Sequence, residues 1–577
     1  MQNRVVSQSS RLLMRLGALS PRSNAAAHLR DAGRHISGSS SSRVCVSRPM
    51  STEPATNANA IASDHRPTKE QRIQTLKDLG IQAYPRYTPP PAEFPLMDIP
   101  HVHEQWDSTL EKGAKLEDEQ LSVQGRIHSK REASKRLFFI DIEQNGQTVQ
   151  IAVSLKRNTG GMGDAESFTR HYRALLVGDI VRASGFVGKT NTGETSIFAT
   201  RPMELLTTCL RTIPSRSGLV DIEKRFRKRH LDLLVNPHVK NALVVRAKVL
   251  SFIRSFLSSR QFVEVETPIL SPSVGGASAK PFTTRSVAFG DTELFMRVAP
   301  ELFLKQLVIG GMDKVYEIGK QFRNEGIDAD HNPEFTTCEF SQAYATLEDL
   351  LQTTEEMLRG LVQTITGSFK LRVEGSPNST HSQHHDVVDF APPFRRINIT
   401  ETLRQKAPDL PSDLSDPTAI PQIMAIFKSQ GIALPSPPTL PRLLDRLISH
   451  YIEPECTQPT FLVAHPSIMS PLSKPADLAN TMSARFELFV NKLELVNAYE
   501  ELNDPFVQRQ NFSLQAGERD AGDDEIPAPD SAFCDALEYA LPPTGGWGMG
   551  IDRVVALLAG VSHLRETMSF PIMRPQK

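Results

Sequence analysis

The sequence predicts an α+β protein, with a small five-stranded β-barrel ahead of a larger antiparallel sheet flanked by helices. Three observations carry this. Between residues 120 and 207, five short β-rich runs are divided by Gly and Asn turns. From about Asp221 onward, apolar stripes at helical spacing alternate with strand-like runs. Between Arg323 and Phe335, 13 positions hold an Arg, a Glu two residues later, a His-Asn pair and a Glu-Phe pair.

Bulk properties bound the rest. At 577 residues the chain holds two to four domains, on a prior of about 150 residues each. Net charge is −1, so any nucleic-acid contact must come from a local patch. No run of about 18 apolar residues occurs, so no membrane span is expected. Cys45, Cys209, Cys338, Cys456 and Cys534 are far apart with no CxxC pair. That argues against structural zinc or a disulfide framework, and for a reducing compartment.

The first 50 residues hold eight Arg, no Lys, eleven Ser and one acid, Asp31. Arg4, Arg11 and Arg15 mix with Val5, Leu12, Leu13 and Leu16, the composition of a mitochondrial or plastid transit peptide. With the linker that follows, residues 1–67 are set apart from the fold. Residues 68–81 carry a short helical pattern, with Ile73, Leu76 and Leu79 on one face and Gly80 as its stop; this segment runs to about 118. The five β-rich runs that follow, within 119–212, suit a barrel of the OB type. Phe138, Phe139, Arg126, Arg131 and Gln150 lie among them, and such side chains stack and clamp single-stranded nucleic acid. One of the two adjacent phenylalanines must be barrel core, because neighbours on a strand face opposite sides.

The third block, 219–577, opens with the basic helical stretch DIEKRFRKRHLDLL. Val245, Val249, Phe252, Ile253, Phe256 and Leu257 mark an amphipathic helix, and FVEVETPIL follows as a strand interrupted near Pro268. Residues 370–440 are polar and proline-rich, and about 370–390 reads as an insertion. The segment VYEI before Arg323 and FTTCEF after it suit two antiparallel strands joined by a long loop. Strand alternation would point Arg323 and Glu325 the same way. Such a floor offers a cation for phosphate, a carboxylate for a base or sugar edge, and Phe335 for stacking.

These segments bring the chain to a family. The helix with FVEVETPIL, FRNEG through HNPEF, and GMGIDRVVALLAG resemble, in order, the three motifs of class II aminoacyl-tRNA synthetases. GGASAKPF, APEL, ELND, LPPTGG and FPIMRPQK resemble the lysine branch, over about residue 68 to Lys577. The resemblance implies an OB-fold anticodon domain ahead of a class II synthetase domain with an antiparallel sheet of six or seven strands. It implies that lysine and ATP form lysyl-adenylate, with Mg2+ as cofactor, and that the lysyl group passes to tRNA(Lys). By the same match Arg323 would meet the α-phosphate and the reacting carboxylate, and Arg553 the far phosphates, helped by the helix start it occupies. His331 and Asn332 would assist, Phe335 would stack adenine with Glu325 near its amino group, and Glu494 and Glu501 would hold magnesium. Glu301 would receive the α-ammonium of lysine. Glu339, Asn497 and Glu501 would enclose its side chain, and Gly276 would lie in the loop that covers it. In the barrel, Phe139 and Gln150 would read the anticodon.

One position departs from the family. Lysine enzymes usually carry Tyr two residues after the counterpart of Glu339, and here Ser341 stands there. Losing a hydrogen bond to a charged group costs roughly 1.5–3 kcal/mol, on the order of 10- to 100-fold in affinity. Water or Tyr344 would have to fill the gap. Ala540, where Gly often precedes LPPT, is a smaller change. The Arg-rich leader, with no lysine-rich extension, points to the mitochondrial matrix. A homodimer is expected because residues 245–268 would otherwise expose an apolar seam. The alternatives are an aspartate or asparagine enzyme of the same subclass, and a non-catalytic RNA-binding protein on the same fold.

Overall fold

The computed structural model describes residues 67–576 except 159–163, 215–218, 374–385, 415 and 521. The leader expected within 1–67 therefore lies almost wholly outside the described residues. Helix α1 (Lys69–Asp78) begins where predicted, with Thr68 and Gln71 forming a reciprocal capping box. It ends before Gly80, whose φ of 68° is the left-handed conformation glycine adopts freely. Helix α2 (Ile99–Trp106) follows.

The barrel comprises β1 (Lys115–Ser134), β2 (Leu137–Gln144), β3 (Gln147–Ser154), β4 (Ile180–Lys189), β5 (Thr195–Ala199) and the short β6 (Glu204–Thr207). Strand order is β1-β2-β3-β5-β4-β6, and β1 also pairs with β4, so five strands close as expected. The last predicted run divides into β5 and β6. Helix α3 (Ala165–Ala174) was not legible, because its mostly polar sequence shows only Phe168 and Tyr172 as large apolar residues. Those two rings pack on Phe138 inside the barrel, at 5.9 and 5.6 Å between centroids. Phe138 is thus the core phenylalanine, and Phe139 lies half-buried on the outer face.

Helices α4 (Ile222–Arg227), α5 (Arg229–Val235) and α6 (Pro237–Ser259) lead into the large domain. Its central sheet has eight strands rather than six or seven. They are β7 (Val263–Glu264), β11 (Lys314–Phe322), β12 (Glu334–Ala343), β15 (Arg395–Asn398), β16 (Thr460–Pro466), β17 (Met482–Val490), β18 (Leu493–Glu500) and β19 (Thr544–Gly550). The order is β15-β16-β17-β18-β19-β12-β11-β7, antiparallel except for a parallel pair at each edge. A side sheet is built from β8 (Leu270–Ser271), β9 (Thr283–Arg285) and β10 (Glu293–Met296). A hairpin of β13 (Lys370–Val373) and β14 (Asp386–Asp389) carries the polar insertion, whose middle lies outside the described residues.

Behind the sheet, α6, α8 (Leu347–Thr366) and α14 (Ile551–Ala559) bury a core that includes Val249, Leu358, Phe340 and Val555. On the other side lie α7 (Glu301–Ile309), α12 (Pro505–Asp520) and α13 (Ser531–Leu537). The later part of the polar 370–440 stretch and the residues after it, 399–451, fold as a helical unit: α9 (Ile399–Lys406), α10 (Ile420–Gln430) and α11 (Leu440–Tyr451) close their own core around Leu403, Phe427 and Leu447. The sequence reading gave no helices there, although α10 and α11 place Ile423, Ile426 and Phe427, and Leu440, Leu443, Leu444, Leu447 and Ile448, at helical spacing; the proline that opens each of these two helices reads locally as a loop signal.

Three expectations are corrected. FVEVETPIL keeps only two residues of strand in the main sheet, since Thr267 turns its N–H to the Glu317 carboxylate at 3.1 Å instead of a ladder. β11 ends at Phe322, so Arg323 and Glu325 belong to the loop and strand alternation does not align them. The α6 stripe is not an exposed seam: Val245, Val249, Ile253 and Leu257 bury within this chain's own core. Ala540 has φ of 70° and is solvent-exposed, a strained position for any residue but glycine.

One ion pair fastens the N-terminal segment to the barrel. Asp179 is fully buried and accepts from Arg72 Nη2 at 2.6 Å and from the backbone N–H of Leu176 and Cys209 at 2.8 and 2.7 Å. Removing one partner strands a buried charge, at a cost of about 3–5 kcal/mol. Asp179→Ala is expected to lower the unfolding free energy by that much, read from the denaturant midpoint and slope; a change within error would show the pair to be dispensable.

Candidate active site

The predicted residues of the large domain converge. Gly276, Glu301, Arg323, Glu325, His331, Asn332, Phe335, Glu339, Glu494, Asn497, Glu501 and Arg553 all line one cavity of about 730 Å3 above the central sheet. The sheet brings them together because β12, β18 and β19 are adjacent, although their residues are far apart in sequence. Phe139 and Gln150 are on the barrel and belong to a different surface.

The cavity floor is kept low by glycine. A Cβ on Gly546 would stand 1.8 Å from Glu501 Oε1, and one on Gly548 would meet Glu339 Cγ at 3.4 Å. At the acidic end, Glu301 opens α7, and Lys305 one turn later reaches it at 2.5 Å. Lys305 Nζ also touches Glu501 at 2.6 Å and is fully buried. Tyr499 joins this cluster through a hydrogen bond with Glu301, and Lys305 Nζ lies 5.7 Å from its ring. Glu339 accepts from Thr337 Oγ1 at 2.9 Å, and Thr337 in turn accepts from Gln321 at 3.0 Å.

Charges in this end do not balance. Glu301 and Glu501 share one cation, Lys305, while Glu339 has no ion-pair partner among the described residues and feels only the more distant cations Arg323 and Arg297. The neighbouring Arg485 is committed to Glu487, and Arg297 to Glu317 at 2.6 Å. Burial pushes the Glu339 carboxyl up to about 7, and nearby Glu301 adds to the shift. Burial and Glu301 also raise Glu501, against the opposing pull of Lys305. Lys305 stays an ammonium, because its two acids outweigh the burial that disfavours its charge. The pocket is built for added positive charge.

The other end presents cations. Arg323 has its guanidinium carbon 5.1 Å from the centre of the Phe335 ring, and its Nε is buried without a hydrogen-bond partner. Arg553 sits in the first turn of α14 and donates to Glu494 Oε2 at 3.0 Å and to the Glu494 carbonyl at 2.9 Å. Asp552, one residue earlier, accepts from the Thr336 N–H at 2.7 Å and from Arg246, which ties α14 and α6 to β12. His331 is exposed and paired with Asp328 at 3.0 Å, while Asn332 is buried with Nδ2 donating to the Glu334 carbonyl at 2.6 Å. Gly276 has φ of 89°, and a Cβ there would meet Glu301 Cβ at 3.2 Å, so the loop it belongs to packs directly on the acidic end.

One expectation about this site changes, and one pair of acids is engaged elsewhere: Glu494 faces Arg553, while Glu501 is held in the buried pair with Lys305. Among the described residues no group of three or more His, Cys, Asp or Glu side chains gathers as a metal site. Tyr344 does not fill in for Ser341, since it is 71% exposed and points away. Lys305, Tyr499, Arg485 and Glu487 were missed. Lys305 alone left a sequence signal, four residues after Glu301 on a helix. Glu487, which burial would raise, is pulled down to about 2 by Arg485 and His465.

On the barrel, Gln150 donates to Glu194 at 2.9 Å and lines a cavity of about 400 Å3 with Asp141, Thr148 and Lys189. Phe139 carries Arg131 over its ring at 4.8 Å. The β2–β3 register puts Phe139 opposite Ala152 and Asp141 opposite Gln150, so Phe139 and Gln150 share the outer face.

Comparison with known proteins agrees with this layout. Residues 221–574 match the tRNA synthetases class II (D, K and N), and residues 121–205 match the OB-fold nucleic acid binding domain. A lysine–tRNA ligase of Cladosporium cladosporioides is 41% identical, over 90% of this chain and 86% of its own length. A probable cytoplasmic lysine–tRNA ligase of Encephalitozoon cuniculi is 45% identical, over 78% and 87%. A mitochondrial lysine–tRNA ligase of Schizosaccharomyces pombe is 40% identical, over 89% and 94%.

Because Glu339 takes up its proton near pH 7, the stability it contributes is complete below pH 4.5 and lost as pH rises through 7. Glu339→Gln is expected to stabilise the ligand-free protein at pH 8 by about 1–3 kcal/mol and to leave it unchanged below pH 4.5, at about pH 4. Denaturant titration at both pH values checks this, and equal effects at the two would refute it.

Proposed function

The chain belongs to the class II tRNA synthetases of the D, K and N type and is an ATP-dependent aminoacyl-tRNA ligase, and we propose that its amino acid is lysine. The observation that carries the proposal is the charge imbalance: Glu301, Glu339 and Glu501 around the single Lys305. Lysine brings two ammonium groups to that end. Aspartate and asparagine each bring only the α-ammonium; the aspartate side chain would add a further anion, and the asparagine side chain no second cation. A buried carboxylate left unpaired is costly, so the same acids reject uncharged side chains.

In this reading the lysine carboxylate attacks the α-phosphorus of ATP. A carboxylate oxygen–phosphorus bond forms, the bond to pyrophosphate breaks, and lysyl-adenylate results. No protein nucleophile takes part; the protein aligns two anions and offsets charge on phosphorus. Arg323 is assigned to the α-phosphate, and its unpartnered Nε supports this. Arg553, in the first turn of α14, is assigned to the far phosphates, and taking that role releases it from Glu494. Phe335 offers adenine an aromatic face with Arg323 nearby, and Glu325, His331 and Asn332 line the same end. Magnesium would enter as the counter-ion of ATP and neutralise phosphate charge. Glu494 and Glu501 are assigned to it; Glu494 faces Arg553 and Glu501 is paired with Lys305. Glu301 is assigned to the α-ammonium, and Glu339, Asn497 and Glu501 to the side chain, under the Gly276 loop.

Transfer to tRNA(Lys) is the second half of the proposal, with Phe139 stacking an anticodon base and Gln150 bonding the central uridine. We also assign the protein to the mitochondrial matrix, on the Arg-rich leader and on the mitochondrial relative. A reporter fused to residues 1–49 that stays diffuse would sink that assignment. A homodimer is supported by exposed Val244, Val263, Ile269 and Leu270 around α6 and β7; a single monomeric species in sedimentation would argue against it.

ATP–pyrophosphate exchange by the full chain, screened over twenty amino acids, tests the first half. Lysine-only exchange is expected, and exchange with another amino acid instead overturns the substrate. Gln150→Ala is expected to lower kcat/KM for tRNA by about 10- to 100-fold while leaving exchange intact. Loss of exchange, or no effect on charging, would remove the barrel from tRNA reading.

A further inference from the structure

The pocket has one conspicuously short wall position beside its acids. Ser341 is buried and lines the cavity. It is two residues from Glu339 on β12, so both side chains project from the same face of the sheet. Across the ladder it pairs with Gly546 on β19, and Glu501 Oε1 lies over that glycine. A hydroxymethyl and a bare glycine therefore stand side by side next to the two carboxylates. Leu304, Leu472 and Phe512 also line the cavity and give it an apolar part. Tyr344 does not reach in, and Tyr499 is already engaged with Glu301.

From this we infer that the side-chain end accepts lysines carrying one or two methyl groups on Nε, with Ser341 as the residue that sets the width. The inference rests on the lysine reading above. Mono- and dimethyl-lysine keep the full positive charge that Glu339 and Glu501 lack, and retain two and one N–H donors. Their methyl groups need only space. Adenylate formation proceeds as for lysine: the new bond joins carboxylate oxygen to phosphorus, pyrophosphate leaves, and Nε keeps its protons and substituents. Nε-acetyl-lysine has similar reach but no charge, so the acids reject it. A pocket closed around lysine discriminates against one extra methyl group by about 10- to 200-fold. The opening at Ser341 removes that discrimination.

The test is ATP–pyrophosphate exchange by the full chain with lysine, Nε-methyl-lysine, Nε,Nε-dimethyl-lysine and Nε-acetyl-lysine. Wild type is expected to use Nε-methyl-lysine within about 10-fold of lysine in kcat/KM. Ser341→Tyr should lower the lysine KM, since a phenol can donate to the acids, and reduce the methyl-lysine to lysine ratio by at least about 10-fold. Ser341→Ala should keep the wild-type ratio, because space and not the hydroxyl is at issue. Should the Tyr variant fail to fold, Ser341→Val fills part of the same space and should give an intermediate ratio. Strong discrimination by wild type overturns the inference, as does a ratio unmoved by Tyr and Val, or one lost in the Ala variant. No lysine exchange at all would instead strike the lysine reading, and acceptance of acetyl-lysine would strike its charge argument, so the two failures are told apart.

Discussion

The buried ammonium of Lys305 is the interaction on which the acidic end depends. It is completely inaccessible to solvent and touches both Glu301 and Glu501. Without it two carboxylates would face each other in a low-dielectric pocket, and at least one would protonate. With it the acids are held in place, yet one cation among three leaves the pocket short of positive charge. The imbalance is a cost to the empty protein, and a cationic ligand relieves it. Position and selectivity thus come from the same ion cluster.

The sheet supplies what the cluster needs from the backbone. Gly546 and Gly548 on β19 let the acids of β12 and of the β18 end lie flat on the floor. A methyl group at either position would meet Glu501 or Glu339. At the opposite end, Asp552 gathers Arg246 and the Thr336 N–H, so α6, β12 and α14 are fixed to one another where Arg323 and Arg553 project. The cavity is therefore anionic at one end and cationic at the other. That polarity suits joining an ammonium-bearing acid to a phosphate chain.

Much of this was legible in the chain because local chemistry dictated it. The barrel followed from strand runs and turns, the hairpin from its two β segments, and the α6 helix from its apolar spacing. The candidate residues followed from motifs that matched a family, and all of those in the large domain line one cavity. The failures have physical causes. Helices α3 and α10 hide in polar or proline-rich sequence and are stabilised by packing against residues distant in the chain. The strand expected from FVEVETPIL is cut short because Glu317, 50 positions away, takes the N–H of Thr267. The α6 stripe looked like an interface because sequence shows that a face is apolar but not what covers it.

The sequence by itself determined the inventory: which side chains carry charge, where strands and helices begin, and which short segments are built for phosphate and for an amino acid. These are properties of residues within a few positions of one another. Tertiary structure alone decided the partners. It paired Glu501 with Lys305 and Glu494 with Arg553, set Tyr499 beside Glu301, and left Ser341 as the low point in the wall. Each outcome depends on strands distant in sequence pairing in one sheet, β12 with β19 and β19 with β18, and on burial, which turns a charge that is harmless in water into the strongest constraint in the site.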